Sequence, residues 1–269
     1  LIKEKYFYQY EEASLHYLFY RGGPDVLLCF HGYGQQAQVF EPLARRLSSQ
    51  YSIYSFDLFF HGQSKWPDCE RAIPSEFFSE VITNFLDDRA IRKVCLCGYS
   101  LGGKIVLNLV EKLGHLIKKI MLIAPDGIKT NFWYSLATYP YWMRRLFKYS
   151  VHHPEPFFFL SNVLSQSQML DKGVAKFAKR QMNTAAKREK VYCTWLAYRK
   201  IQPDIQKVVY QLKRNNIPVY FILGTYDRII HKSSIKPLTE KISSFKIQML
   251  DRGHNTLIKD IAKDPKLNF

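Results

Sequence analysis

Hydrophobic positions along the chain fall into two regimes. Near the start, residues 6–10 and 15–20 are two runs rich in tyrosine, phenylalanine and leucine, parted by Glu11 and Glu12. Two such runs around a polar turn predict a β-hairpin. After Gly22, Gly23 and Pro24, short apolar runs at 26–30, 53–56, 94–97, 120–124, 219–223 and 245–250 alternate with stretches of helical period. The helical stretches include 39–47, 76–86 and 101–113. Short, continuously apolar runs are strands covered on both faces, and helices between them are the crossovers that parallel strands require. The pattern therefore predicts an α/β fold: an eight-stranded, mostly parallel sheet flanked by helices.

The alternation stops between residues 127 and 209. No run there resembles a buried strand; instead come Trp133, Trp142, Trp195, the block Phe157, Phe158 and Phe159, and basic residues at helical spacing such as Lys172, Lys176, Lys179 and Lys187. Loops are marked at Tyr139-Pro140 and across His152 to Pro156. This predicts a mostly helical insertion after strand six, with 1–126 and 210–269 forming the core and 127–209 the insertion.

Charge changes this picture most. The 269 residues carry a formal charge of +16, and 13 of the 39 lysines and arginines lie between Gly127 and Lys200 against 3 acidic residues. A surface of that sign attracts an anionic substrate, an acidic carrier protein or an anionic membrane. Charge without a recognition motif gives no reason to expect nucleic acid. No apolar run reaches the length of a membrane-spanning helix, and the first residues lack a signal peptide's apolar stretch. The sequence opens on Leu1 rather than Met, consistent with removal of something upstream.

Five cysteines, Cys29, Cys69, Cys95, Cys97 and Cys193, are odd in number and mostly embedded in apolar runs. They read as reduced thiols of a cytoplasmic protein, with peripheral membrane contact left open. Cys95 and Cys97 share a strand face, but no second pair at chelating spacing follows, so neither metal nor cofactor is expected.

Candidate chemistry begins at Gly98-Tyr99-Ser100-Leu101-Gly102, a G-x-S-x-G between a strand and an amphipathic helix. A serine on so sharp a turn brings the residues two before and two after it together, and both must lack a side chain. Serine needs a general base. Among eight histidines, His254 follows the last strand and opens the final helix. Asp227, just past the strand at 219–223, stands where an acid would orient that imidazole, and Asp126 is its rival. The glycines of His31-Gly32-Tyr33-Gly34 let the Tyr33 N–H turn inward beside that of Leu101, making an oxyanion hole. His31 reads as structural.

Together, His31-Gly32, the stretch from Asp57 through His61, Gly62, Gln63 and Ser64, the Ser100 turn, Asp227 and His254 resemble the α/β-hydrolase superfamily over nearly the whole chain. The order Ser, Asp, His is that family's. The Asp57 to Ser64 stretch resembles its D-x-x-G-x-G-x-S loop, with Phe60-His61 where glycine and histidine are usual, and is read as scaffold. The resemblance implies a serine hydrolase whose cap shapes an acyl pocket. Fifteen of the 41 aromatic residues lie between Gly127 and Lys200, which suits an apolar acyl group on a carboxylic ester or thioester. Alternatives are carbon–carbon cleavage or lyase chemistry on an acidic metabolite, with Arg144, Arg145 or Arg199 holding its carboxylate, and a non-catalytic binding module. Ser100 stands where dehalogenases and epoxide hydrolases carry aspartate, which disfavours those activities.

Overall fold

The computed structural model describes residues 3–129, 132–156, 158–159, 180–264 and 269. Phe157, Lys172, Lys176, Lys179 and the side chain of Trp133 lie outside the described set. The chain divides into two compact units: one of 1–67, 74–129 and 201–269, the other of 68–73 and 130–200.

The first unit is built on one eight-stranded sheet: β1 (Lys3–Tyr10), β2 (Ala13–Tyr20), β3 (Asp25–Phe30), β4 (Tyr51–Phe56), β5 (Val94–Tyr99), β6 (Ile117–Ile123), β7 (Val219–Gly224) and β8 (Phe245–Leu250). Their order is β1-β2-β4-β3-β5-β6-β7-β8. The β1–β2 and β2–β4 pairings are antiparallel, and every later pairing is parallel. The hairpin turns at Glu11, whose φ of 51° fits the tight reversal. All six residues of β5 are buried, as a central strand covered on both faces requires. At one edge β1 is largely exposed, and Lys3, Glu4 and Lys5 deter pairing with another chain.

Helices α1 (Glu41–Leu47), α2 (Phe77–Asp87) and α3 (Leu101–Leu113) lie in the connections from β3 to β4, β4 to β5 and β5 to β6. The boundary at 39–47 differs from expectation, since a 3-10 turn at Ala37–Phe40 precedes α1 and Pro42 sits in the helix's first turn. Helix α2 buries Phe85, whose ring meets those of Tyr8, Tyr17, Tyr54 and Phe56 at 5.2–5.3 Å. Arg89 closes this cluster, its guanidinium carbon 3.8 Å from the Phe85 ring centre and Nη2 donating to Tyr17 Oη at 2.8 Å.

The second unit contains α4 (Phe132–Thr138), α5 (Tyr141–His152) and α6 (Ala185–Ala197). Thr184 caps α6, its side chain accepting from Lys187 N–H. The rings of Phe147 on α5 and Trp195 on α6 lie 5.6 Å apart, and Tyr134 on α4 donates from its hydroxyl to the Trp195 carbonyl. The next helix, α7 (Ile205–Arg214), belongs to the first unit and is capped by Asp204. Among the described residues, no helix is long and apolar enough to cross a membrane.

The cysteine reading needs correction. Cys29, Cys95 and Cys97 are buried free thiols, whereas Cys69 and Cys193 form a disulfide across 124 residues of sequence. Spacing along the chain could not pair them: folding lays the segment 68–73 along the end of α6, where Ile73 N–H donates to the Ala197 carbonyl at 2.8 Å. A stable disulfide belongs mainly to oxidising compartments, so thiol count no longer argues for a reducing one. The bridge closes a long loop and is expected to stabilise the fold by about 2–4 kcal/mol. Dithiothreitol should lower the thermal midpoint by roughly 5–15 °C. Cys69→Ser and Cys193→Ser should melt at that lower temperature with or without reductant, measured by circular dichroism.

Candidate active site

Ser100 lies between the end of β5 and the first residue of α3, with φ 50° and ψ −116°. Such a backbone is strained for any residue with a side chain and persists only where its surroundings hold it. They do so from both sides. Ser100 N–H donates to the Ile123 carbonyl at 2.9 Å, and the Ser100 carbonyl accepts from Gly103 N–H at 2.8 Å and Asp126 N–H at 3.0 Å. The flanking glycines are sterically required. A Cβ on Gly98 would sit 2.5 Å from the Gly102 carbonyl oxygen, and one on Gly102 would sit 1.8 Å from that of Phe30.

Asp227 follows β7 in a turn closed by its own N–H on the Gly224 carbonyl. Its buried carboxylate has two separate duties. Oδ1 accepts from the N–H groups of Ile229 and Ile230 at 2.8 and 2.9 Å, while Oδ2 meets His254 Nδ1 at 2.6 Å. An ionised carboxylate only accepts, so this contact puts the imidazole proton on Nδ1 and leaves Nε2 as an acceptor. Nε2 lies 3.0 Å from Ser100 Oγ. The rival acid stands elsewhere: Asp126 Oδ1 accepts from Gly127 N–H. Its charge also favours the buried ammonium of Lys104, which burial disfavours more strongly.

The loop after β3 runs beside the serine, since a Cβ on Gly32 would approach Ser100 Cβ to 3.1 Å. Leu101 opens α3, so its N–H has no carbonyl four residues back within the helix. Tyr33 N–H makes no hydrogen bond among the described residues. Burial pushes the Tyr33 phenol above its ordinary range, and its ring stands edge-on to His61 at 5.3 Å.

Two histidines fix this loop through their tautomers. Backbone N–H groups donate to the Nε2 atoms of both: Leu58 to His31 at 3.0 Å and Gly34 to His61 at 2.9 Å. Each Nδ1 then carries the proton and donates to a carbonyl, that of Gly32 for His31 and of Phe59 for His61. Asp57 anchors the supporting side. Its carboxylate meets Ala37 N–H at 2.6 Å, Gln63 N–H at 2.9 Å and His16 Nδ1 at 2.7 Å. Gly62 makes this possible, for a Cβ there would lie 1.8 Å from Asp57 Oδ2.

Sequence reading missed two of these residues. His16, on β2, has no local motif and is recruited by strand pairing. Tyr99 donates its hydroxyl to the His254 carbonyl at 2.5 Å and packs its ring 5.3 Å from the imidazole. The only signal for Tyr99 was an aromatic inside the Ser100 turn. Replacing Asp57 by Asn turns one acceptor into a donor facing a donor, which should cost about 2–4 kcal/mol in urea unfolding. Asp57→Asn as stable as the wild type would refute this account of the loop.

Several known proteins are similar to this chain in sequence or in fold. A methyl ester esterase of pimeloyl-[acyl-carrier protein] from Nitrosomonas europaea is 29% identical over 112 residues, 42% of this chain and 41% of the relative. The curated relatives are thus matched over less than half their length, an uncharacterised Mycobacterium tuberculosis protein over 34%. A thermophilic esterase from Thermogutta terrifontis superposes with a TM-score of 0.67 at 15% identity, covering 98% of this chain and 96% of its own. The thioesterase domain of the curacin biosynthetic pathway gives 0.63 at 15%, covering 98% and 99%. At such identities these two structures speak for the fold alone. Residues 25–260 match the α/β-hydrolase fold family, and the chain belongs to it.

Proposed function

We propose that the protein hydrolyses a carboxylic ester or thioester with an apolar acyl group through an acyl-enzyme, with residues 127–209 acting as its cap. The observation that carries this reading is the run of contacts from Ser100 Oγ to His254 Nε2 at 3.0 Å and from His254 Nδ1 to Asp227 Oδ2 at 2.6 Å. In the first half-reaction Ser100 Oγ attacks the acyl carbon as His254 Nε2 takes its proton. Asp227 stabilises the imidazolium so formed. The tetrahedral oxyanion is held by the N–H groups of Tyr33 and Leu101. Collapse expels the alcohol or thiol, which leaves with the proton from His254. Water then repeats the sequence on the acyl-serine, releasing the acid and restoring Ser100.

Similarity to a methyl ester esterase of pimeloyl-[acyl-carrier protein] supports this chemical class. Together with the formal charge of +16, that similarity favours an ester presented by an acidic carrier over a free neutral ester. A fluorophosphonate probe should label the protein stoichiometrically and fail to label Ser100→Ala. A panel of aryl esters and thioesters of increasing acyl length should be turned over by the wild type, and survival of that turnover in Ser100→Ala would sink the reading. Asp227→Asn keeps the geometry but lets the imidazole take the wrong tautomer, and kcat should fall by roughly 10³ to 10⁴.

A further inference from the structure

We propose that Arg144 and Arg199, within the unit of residues 68–73 and 130–200, form a binding site for an oxyanion, a carboxylate or phosphate group of a ligand.

The argument starts from the segment that the disulfide holds. Glu70, next to Cys69, receives two cationic side chains: Lys148 Nζ reaches its carboxylate at 2.6 Å, and Arg199 Nη1 reaches its backbone carbonyl at 3.0 Å. Arg144 lies one turn before Lys148 on α5, on the same face. Its charge is among those that hold the Glu70 carboxyl below the usual range, although the Lys148 hydrogen bond is the main cause. The Glu70 carboxylate is thus hydrogen-bonded by Lys148, at which Asp68 adds a further negative charge.

Arg144 itself is left without an acceptor. Among the described residues its five N–H donors make no hydrogen bond, and Nε is shut away from solvent. A half-buried guanidinium in that state is unfavourable unless something pairs with it. A second guanidinium nearby adds repulsion: burial first, and then the charge of Arg144, make it harder for Arg199 to stay charged. Both arginines thus belong to the surroundings of Glu70, Arg199 through its bond to the Glu70 carbonyl and Arg144 from the turn of α5 before Lys148.

The surroundings also set the guanidinium's orientation. Arg144 Cζ and Arg145 Cζ lie 5.7 and 5.9 Å from the centre of the exposed Tyr141 ring, and a ring face holds a guanidinium without competing for its N–H edge. On the other side Arg199 is fixed by the Glu70 and Leu196 carbonyls, and the Tyr139 hydroxyl donates to the Arg199 carbonyl at 2.8 Å. A planar donor edge beside a second anchored guanidinium is suited to an oxyanion, which takes two parallel N–H bonds from one arginine and charge from the other. Of the three arginines singled out in the sequence, Arg145 differs: it is exposed and, among the described residues, makes no hydrogen bond or ion pair with Glu70.

The test is binding, read without turnover, so its outcome does not depend on Ser100. Inorganic phosphate and glutarate are titrated calorimetrically into wild type, Arg144→Gln and Arg145→Gln, against sodium chloride at matched ionic strength. Saturable heat is expected with phosphate, glutarate or both in the wild type. It should be at least tenfold weaker in Arg144→Gln and unchanged in Arg145→Gln. Phosphate alone assigns a phosphorylated ligand and glutarate alone a carboxylate. Arg144→Gln removes no hydrogen bond among the described residues, so it is expected to fold; Arg144→Lys, which keeps the charge and loses the planar fork, should fall between. No saturable heat in the wild type, the same affinity in Arg144→Gln, or an equal response to chloride would each overturn the proposal.

Discussion

The first turn of α3 lies almost in contact with the ends of β3 and β5, and the arrangement around Ser100 depends on that approach. Backbone meets backbone there, since at Gly102 even one methyl group would overlap the Phe30 carbonyl. The same approach leaves Leu101 N–H without a helical partner, brings the Gly32–Gly34 loop against the serine, and forces φ to 50° at Ser100. Such strain, of order 1–3 kcal/mol, persists because Ile123, Gly103 and Asp126 hold the serine's backbone from two directions. Asp227 and His254, which follow β7 and β8, line up on Oγ because this turn holds it in place.

Two buried acid–histidine pairs share a plan and differ in one atom's surroundings. Asp57 and Asp227 each accept two backbone N–H groups and present an oxygen to a histidine Nδ1, at 2.7 and 2.6 Å. At His254 the far nitrogen reaches Ser100 Oγ. At His16 the far nitrogen is buried and, among the described residues, has no partner. The same electrostatic device thus supports the loop after β3 in one place and orients the imidazole that reaches Ser100 Oγ in the other. What distinguishes them is whether a hydroxyl stands at Nε2.

The second unit is organised by charge as much as by apolar packing. Aromatic contacts among Tyr134, Phe147, Tyr192 and Trp195 tie its helices together. Around them, the short segment beginning at Asp68 is bound three ways: by the disulfide, by the backbone bond from Ile73, and by Lys148 and Arg199 on Glu70. The concentration of positive charge in this stretch of sequence therefore has an internal structure, with one carboxylate at the centre of several cations.

Local chemistry made much of this legible in the sequence. Period and polarity alone located the strands and α3, because a strand buried on both faces admits little except apolar residues. Glycines at 98 and 102 marked the turn, because only glycine fits between touching backbones. Asp227 and His254 were legible as strand-end residues, yet the choice of Asp227 over Asp126 against the imidazole was made by the pairing of β7 with β8, which no local pattern reports. Recruitment of His16 to Asp57, the reach of Tyr99 to the His254 carbonyl, and the Cys69–Cys193 bond were likewise decided only by tertiary structure. In each case the partners lie 41 to 155 residues apart along the chain. The physical reason is common to all three: sequence records what each segment prefers, whereas contacts between distant segments follow from how those segments stack.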